Sequence, residues 1–476
     1  MRLLSRFALP AAALLQLATS LTLPAQIQRP GKLNEIYAEH CAKCHGEKME
    51  GAQAPSMLDD VWVSGGDDAS LARSIREGNV EKGMPAWSAL LSEQDIRSMV
   101  IFIREQHAKA KQAGVEIAKP AESISVQSQL HRYQLNTWVA GLMDPWSLAF
   151  LPDGRALVTE KRGRLYLIEA GKLSAPVTGF PDVDSRSQAG LYDVVPHPDY
   201  ARNGWVYFSY SHPQKNAAGE GVSLTRIIRG KLRDGAFTDQ QTIFEAPIAV
   251  YPQSGGPHFG GRIAFGRDGY LYFTIGDRGT MANAQDTALP MGKVHRVFDD
   301  GRVPDDNPFA KDAKAARTIW SYGHRNPQGL AIHPVTGTLY DVEHGPRGGD
   351  EVNLIRPGRN YGWPVITYGM DYDGTPITAI TAKEGMEQPI HFWVPSIAPC
   401  GANFYTGGLF PKWKNNLFVA SLGVQELHRL EIAGDKVLAD EVLFKGLGRI
   451  RHVITGPDGA LYVLLPERIA RITPTE

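Results

Sequence analysis

The segment SGGPHFGGRIAFGRDGYLYFTIGDRG, residues 254–279, has two halves. Ile263–Ile275 reads as two short strands joined by a turn at Arg267-Asp268-Gly269. Asp-Gly is a strong turn dipeptide, and the second strand is aromatic and β-branched (Tyr270, Tyr272, Phe273, Thr274, Ile275). Ahead of this hairpin, Gly255, Gly256, Gly260 and Gly261 surround His258. Glycines let a backbone bend tightly or approach a ligand closely. A histidine held just before a rigid strand is placed to act as a base near neutral pH. Taken alone, the same residues also read as a surface histidine in a flexible turn.

The hairpin is not alone. A short apolar strand, a Pro/Asp/Gly turn and an aromatic–aliphatic strand recur at Leu148–Thr159 and at Val194–Tyr200 with Trp205–Ser209. They recur again at Leu330–Tyr340, at Phe404–Phe410 with Leu417–Ala420, and at Val453–Leu464. With Ile263–Ile275 that makes six copies, spaced by about 45 to 75 residues, the signature of a radial array. One small sheet cannot bury both its faces, whereas a ring of sheets can. The expected fold is an all-β six-bladed propeller over residues 131–476. Tandem β-sandwiches, the alternative, would lack a recurrent turn at one fixed place in each unit.

Five polar, glycine-rich stretches lie near the first strand of a copy: Ser187-Gln188, Gly255–Gly261, Tyr322–Leu330, Glu343–Asn353 and Gly448–His452. A ring would gather them at one end of its central channel.

The first 107 residues differ in kind. Arg2 and Arg6 precede an apolar run, Phe7–Leu23, and a polar exit at Pro24-Ala25-Gln26. This fits a secretory signal over residues 1–25, since the run is short for a membrane span. The mature chain is then expected in an exported compartment, most simply a periplasm. Cys41-Ala-Lys-Cys44-His45 is C-x-x-C-H, the attachment signature of c-type haem. A redox C-x-x-C or half a zinc site would share the spacing, but neither a second C-x-x-C nor a βαβ pattern accompanies it. Met84, in Gly83-Met84-Pro85, is the expected sixth iron ligand opposite His45, because Met99 falls on the apolar face Ile96, Met99, Val100, Ile103. Ser92 and Asp95 form a capping box for the last helix. Residues 27–107 thus resemble a small all-α class I cytochrome c domain. Residues 108–130, rich in Lys, Ala, Gln and Ser, read as a linker. With 50 basic and 51 acidic residues there is no basic excess to suit nucleic acid. Three cysteines do not make a disulfide scaffold.

The second domain resembles the soluble PQQ-dependent glucose/aldose sugar dehydrogenase family. The resemblance rests on Gly-Arg-Ile-Ala-Phe, Ile-Gly-Asp-Arg-Gly, Met291-Gly-Lys, Gly-His-Arg-Asn-Pro-Gln-Gly-Leu, Gly-Pro…Asp-Glu-Val-Asn-Leu-Ile and Asn360-Tyr-Gly-Trp-Pro364. It implies pyrroloquinoline quinone (PQQ) and calcium as cofactors and oxidation of an aldose at its anomeric carbon. By that resemblance His258 takes the hydroxyl proton and a hydride passes to the quinone. Arg325 and Asn326 hold the cofactor near its reactive carbonyls, Arg449 and Arg451 pair with its carboxylates, and Gln188 lies near sugar or cofactor. Gly345 and Pro346 offer main-chain carbonyls to one calcium ion, and Glu351 and Tyr361 imply a second. The chain departs from the family's best-known members at Pro257, where they carry aspartate, at Leu422-Gly423-Val424, where they place a lysine, and around His391–Pro395. Gln285 is a candidate sugar contact. The two domains together imply electrons passing from quinone to haem c and on to an external cytochrome or respiratory chain. The rival reading is a non-catalytic carbohydrate- or protein-binding propeller with a cytochrome that only relays electrons. Substrate preference and oligomeric state are left open.

Overall fold

The computed structural model describes residues 33–475 apart from 50–53, 55, 59–61, 63, 80–83 and 114–122. The expected signal segment lies outside the described residues. No helix among them is long and apolar enough to cross a membrane.

Each recurrent hairpin is the inner half of an antiparallel sheet. The six inner strands are Pro145–Phe150, Leu191–Pro196, Ile263–Phe265, Pro327–Ile332, Pro399–Phe404 and His452–Thr455. Each touches the next, and the sixth touches the first, so the sheets form a closed six-bladed propeller. The recurrent turn has a local cause. In the third copy Gly269 N–H donates to Gly266 O with φ +83°, and Asp268 accepts from the Tyr272 hydroxyl at 2.7 Å. In the sixth, Gly459, Gly456, Asp458 and Tyr462 repeat the same bonds. Aspartate and glycine therefore set the hairpin register, and the strand pairs Ile263↔Phe273 and Val453↔Val463 follow from it.

The ring closes in a way the repeats do not announce. Arg132–Ala140 adds to the last three strands of the chain, pairing Leu135 with Ile472 across to Arg468–Pro474. Ser123–Gln127 then adds as a fifth strand, with Ile124 and Val126 packed on the same core. The linker expected over 108–130 is thus corrected at both ends. Its first residues continue a helix to Ala113, since Ala, Lys and Gln favour helix, and its last residues are a sheet edge.

On the axis sits Arg262, 2% exposed. Its Nη1 lies 3.3 Å from Asp193 Oδ1, its Nε donates to Gln328 O at 2.7 Å, and its Nη2 donates to Arg451 O at 3.3 Å. The guanidinium carbon lies 4.0 Å over the Trp146 ring. One side chain of the third blade therefore binds the first, second, fourth and sixth.

The helical domain carries α1 (Leu33–His40), α2 (Ala42–His45), α3 (Asp68–Glu77) and α4 (Glu93–Ala113). The capping box is present: Asp95 N–H donates to Ser92 Oγ, and Ser92 N–H donates to Asp95 Oδ2 at 3.0 Å.

Arg262→Ala should lower stability by about 3–5 kcal/mol, because it leaves Asp193 buried without its cation. Urea unfolding of the propeller measures this, and a loss below about 1 kcal/mol would show that the axis does not hold the ring.

Candidate active site

The five loops meet at one mouth of the channel, joined by hydrogen bonds. His258 N–H donates to Gln188 Oε1 at 2.9 Å, so the loops entering the second and third blades are tied. Gly260 N–H donates to Asn326 Oδ1 at 3.0 Å, and Asp277 N–H donates to Arg325 O at 2.8 Å, which ties in the fourth. Arg325 Nη1 donates to Gly345 O at 2.8 Å and His344 O at 3.1 Å. Arg451, entering the sixth blade, donates to Gln328 Oε1 at 3.1 Å, and Arg449 donates to Leu422 O at 3.4 Å. Gln188, His258, Arg325, Asn326, Gly345 and Arg451 therefore share one bonded neighbourhood, with Arg449 beside Arg451.

His258 is 7% exposed and holds φ +57°, a left-handed conformation that a non-glycine residue adopts only where its surroundings impose it. Gly276 makes this possible: a Cβ there would meet the His258 carbonyl oxygen at 2.5 Å. Arg278 grips the loop from below, donating to Gly255 O at 2.6 Å and to Pro257 O.

The partner of His258 escaped the sequence reading. Its Nδ1 lies 2.6 Å from Asp277 Oδ1, and the other oxygen of Asp277 accepts from Trp363 Nε1 at 2.8 Å. Asp277 stands in the quoted Ile-Gly-Asp-Arg-Gly landmark, but only the return of the second strand to the glycine-rich loop pairs it with His258. Burial is the largest influence on His258 and lowers its pKa. Asp277 pulls it up and the Arg325 charge pushes it down, leaving it below the ordinary histidine value of 6.5. Burial pushes Asp277 up, but its bond to His258, the Gly279 N–H and Arg325 more than offset this, so it stays a carboxylate. The arrangement assigns the proton of a neutral imidazole to Nδ1 and leaves Nε2 as a base.

Several buried polar atoms here have no partner within the protein: Arg325 Nε, Asn326 Nδ2, Arg451 Nε and His344 Nε2. Asn326 is fully buried and Arg325 is 5% exposed. Buried donors left open in this way are costly, and guanidinium and amide groups of this kind pair with carboxylate and carbonyl oxygens. Lys161 is a further cation that sequence reasoning missed. It donates to Ser187 O at 2.6 Å and feels the charges of Arg449 and Arg451. It stands at the mouth where Leu422–Val424 brings no lysine.

Below Arg325, Glu343, Gly345, Glu351 and Tyr361 line one narrow cavity. Burial and the Glu343 charge push the Glu351 carboxyl well up. The Tyr361 hydroxyl is occupied, donating to Leu354 O at 2.6 Å and accepting from Arg356 N–H at 2.8 Å. His324 stacks on its ring and lies 3.1 Å from both Asp341 and Glu343. Those two carboxylates outweigh the cost of burial and raise His324 to about 9. Gln285 is not open to a sugar: its amide bonds Asn360 through both ends and Trp363 O at 2.7 Å. Cys400 is fully buried, and its thiol donates to Arg451 O at 3.0 Å.

In the helical domain Cys41, Cys44, His45 and Met84 line a single cavity of about 400 Å³, with Tyr37, Trp62 and Met99 among its walls. The backbone of Met84 is pinned by two hydrogen bonds to Asn79, at 2.8 and 3.0 Å. Met57 lines the same cavity. Met99 is 1% exposed and belongs to the core, as its periodicity implies.

The glucose/sorbosone dehydrogenase family model matches residues 142–473, and that of cbb3-type cytochrome c oxidase subunit III matches residues 28–103. Aldose sugar dehydrogenase YliI of Escherichia coli is 43% identical over 330 residues, covering 68% of this chain and 87% of the relative. The crystal structure of the soluble aldose sugar dehydrogenase from Escherichia coli in the apo-form aligns with a TM-score of 0.68 at 40% identity, covering 72% of this chain and 100% of that one. The PQQ-bound form of aldose sugar dehydrogenase from Streptomyces coelicolor aligns with a TM-score of 0.58 at 27% identity, covering 75% and 99%. The propeller, its mouth of base and guanidinium groups, and these likenesses agree: the chain belongs to the glucose/sorbosone dehydrogenase family and carries a c-type cytochrome domain ahead of the dehydrogenase.

Proposed function

We propose that this protein oxidises aldoses at the anomeric carbon to lactones, using PQQ and calcium, and delivers the electrons to its own haem c. The observation that carries the reading is His258, its Nδ1 held by Asp277, beside buried guanidinium and amide donors that lack partners. When bound, PQQ supplies the two-electron acceptor. Arg449 and Arg451 are suited to its carboxylates, since a planar guanidinium matches them bidentately. Arg325 and Asn326 hold its other side, with Gln188 closing the edge next to His258. Gly345 and Pro346 offer the hard carbonyl oxygens that calcium takes, and Glu351 with Tyr361, through its main-chain oxygen since its hydroxyl is occupied, marks a second ion whose charge would relieve the crowded carboxylates. Cys41 and Cys44 attach the haem, and His45 and Met84 ligate its iron, a pair that suits electron transfer.

The chemistry required of the chain is proton removal. The anomeric hydroxyl must lose its proton as the carbon loses two electrons, and His258 Nε2 accepts it. Asp277 fixes the ring and stabilises the imidazolium that forms, and Arg325 stabilises negative charge developing nearby. The first 25 residues export the chain to the periplasm, where an external cytochrome or respiratory chain takes the electrons onward.

Protein loaded with haem, PQQ and calcium should show haem reduction on addition of an aldose. An oxidised haem band that stays unchanged across a broad sugar panel would remove the enzyme reading in favour of a binding propeller. His258→Ala should abolish reduction by sugar and leave reduction by dithionite intact. Because only neutral His258 acts and burial lowers its pKa from the ordinary 6.5, kcat/KM should fall as the solution is acidified, with its break below pH 6.5. A break above pH 7 would contradict the assignment. Asp277→Asn should lower kcat by about 10²- to 10⁴-fold through loss of the tautomer and of the charge facing the imidazolium. Unchanged turnover in that variant would show that Asp277 does not orient the base.

A further inference from the structure

The helical domain bears directly on the rim of the active site. On α4, Met99 and Ile103 line the haem cavity. Arg97, Ile101 and Glu105, at four-residue spacing, lie on a different face and meet the fourth blade. Arg97 donates to Thr378 O at 3.3 Å and to Thr367 O. Both carboxylate oxygens of Glu105 receive the Arg347 guanidinium, Nε at 2.8 Å and Nη2 at 2.5 Å, a forked ion pair that is mostly buried. Between these polar ends the contact is apolar. Met370, 1% exposed, joins the core of the helical domain, and Val394 packs against it. Ile101 lies over Gly348, where a Cβ would meet its Cγ2 at 3.4 Å.

The same blade-four segments reach the mouth. Arg347 follows Gly345-Pro346 directly, and its backbone exchanges two hydrogen bonds with Met370, at 3.0 and 3.1 Å. Two residues further on, the Tyr372 hydroxyl accepts from Arg325 Nη2 at 3.4 Å. The insert 366–378 thus touches an active-site arginine on one side and the haem domain on the other.

We propose that the Arg97–Ile101–Glu105 face of α4 and the Arg347/366–378 surface of the fourth blade form a fixed docking interface that seats the haem domain beside the quinone site, so that electrons cross at this contact. The electron role rests on the sugar-oxidation reading; the contact does not. Each aldose converted to lactone releases two electrons and two protons. Ferric haem takes one electron and becomes ferrous, so two transfers occur per turnover. An external one-electron acceptor, such as a ferric c-type cytochrome or ferricyanide, reoxidises the haem between them. A seated domain differs from a tethered one, whose effective concentration is set by linker length alone.

Glu105→Lys places a cation against Arg347 without altering the channel mouth or the residues assigned to haem attachment. In the haem-loaded full chain, amide hydrogen exchange over 366–378 should quicken by at least about tenfold in this variant. Exchange should return toward the native rate in Glu105→Lys/Arg347→Glu. Exchange equal to native in Glu105→Lys would overturn the interface. With PQQ and calcium added, haem reduction by an aldose should slow by at least about tenfold, while oxidation of the sugar by a small dye stays within about twofold of native. Haem reduction at the native rate, with 366–378 deprotected, would overturn the assignment of this contact as the electron crossing. If the native protein oxidises no aldose with the dye, the sugar reading fails, and the exchange comparison still decides the interface.

Discussion

A guanidinium buried on the axis of a ring is the constraint on which the rest of this molecule depends. Arg262 cannot be satisfied within its own blade. Its charge is answered by Asp193 of the second blade, its remaining donors by carbonyls of the fourth and sixth, and its face by Trp146 of the first. Burying such a charge is costly unless every partner is in place. Asp193 is shared in turn, accepting from the Ser147 hydroxyl at 2.5 Å and from Ile263 N–H at 2.9 Å. The blades can therefore slide or splay only by opening this network. That makes the inner strand ends a rigid platform: the loops of Gln188, His258, Arg325 and Arg451 lead into inner strands, while the Gly345-Pro346 loop joins the second and third strands of the fourth blade, Leu339–Glu343 and Asp350–Ile355.

A rigid platform is what holds the surroundings of His258 in place. His258 sits between a carboxylate and a guanidinium that act in opposite directions, and burial tips the balance towards the neutral ring. Small displacements of Asp277 or Arg325 would upset it. The molecule prevents them by making the same groups structural: Asp277 also binds Trp363 and Gly279, and the backbone of Arg325 is held by Glu343. His324 beneath, 3.1 Å from Glu343, secures that carboxylate. The strained backbone at His258 persists because Gly276 leaves room for it and Arg278 clamps the loop from below.

The fourth blade is where the two domains meet. Between its third and fourth strands, Asp350–Ile355 and His391–Trp393, lies a long insert that carries Trp363 to Asp277, Tyr372 to Arg325 and Met370 into the helical core. Loops are held where a rigid scaffold positions them, and here one excursion touches the partner of His258, Arg325 and the helical domain.

Much of this was legible residue by residue. The propeller could be read because each repeat is a local object: Asp-Gly turns such as Asp268-Gly269 and Asp458-Gly459 set register within a dozen residues. C-x-x-C-H is local too, and so is the Ser92/Asp95 cap. The resemblance to a sugar dehydrogenase family supplied His258, Arg325, Asn326 and Arg451 in advance, and the structure brings them to one mouth. Other features were settled only by tertiary structure, because each depends on a partner remote in sequence. The strand Arg132–Ala140 has no meaning until the C-terminal strands offer it an edge. Asp277 is a plain turn residue until its hairpin folds back on His258, and Gln285 looks available until Asn360 and Trp363 consume its amide. Glu105 on a helix and Arg347 on a blade are ordinary surface charges by sequence. Local propensity encodes turns, caps and attachment motifs, whereas pairing across the ring and between domains is set by the packing of distant segments, which no stretch of the chain contains by itself.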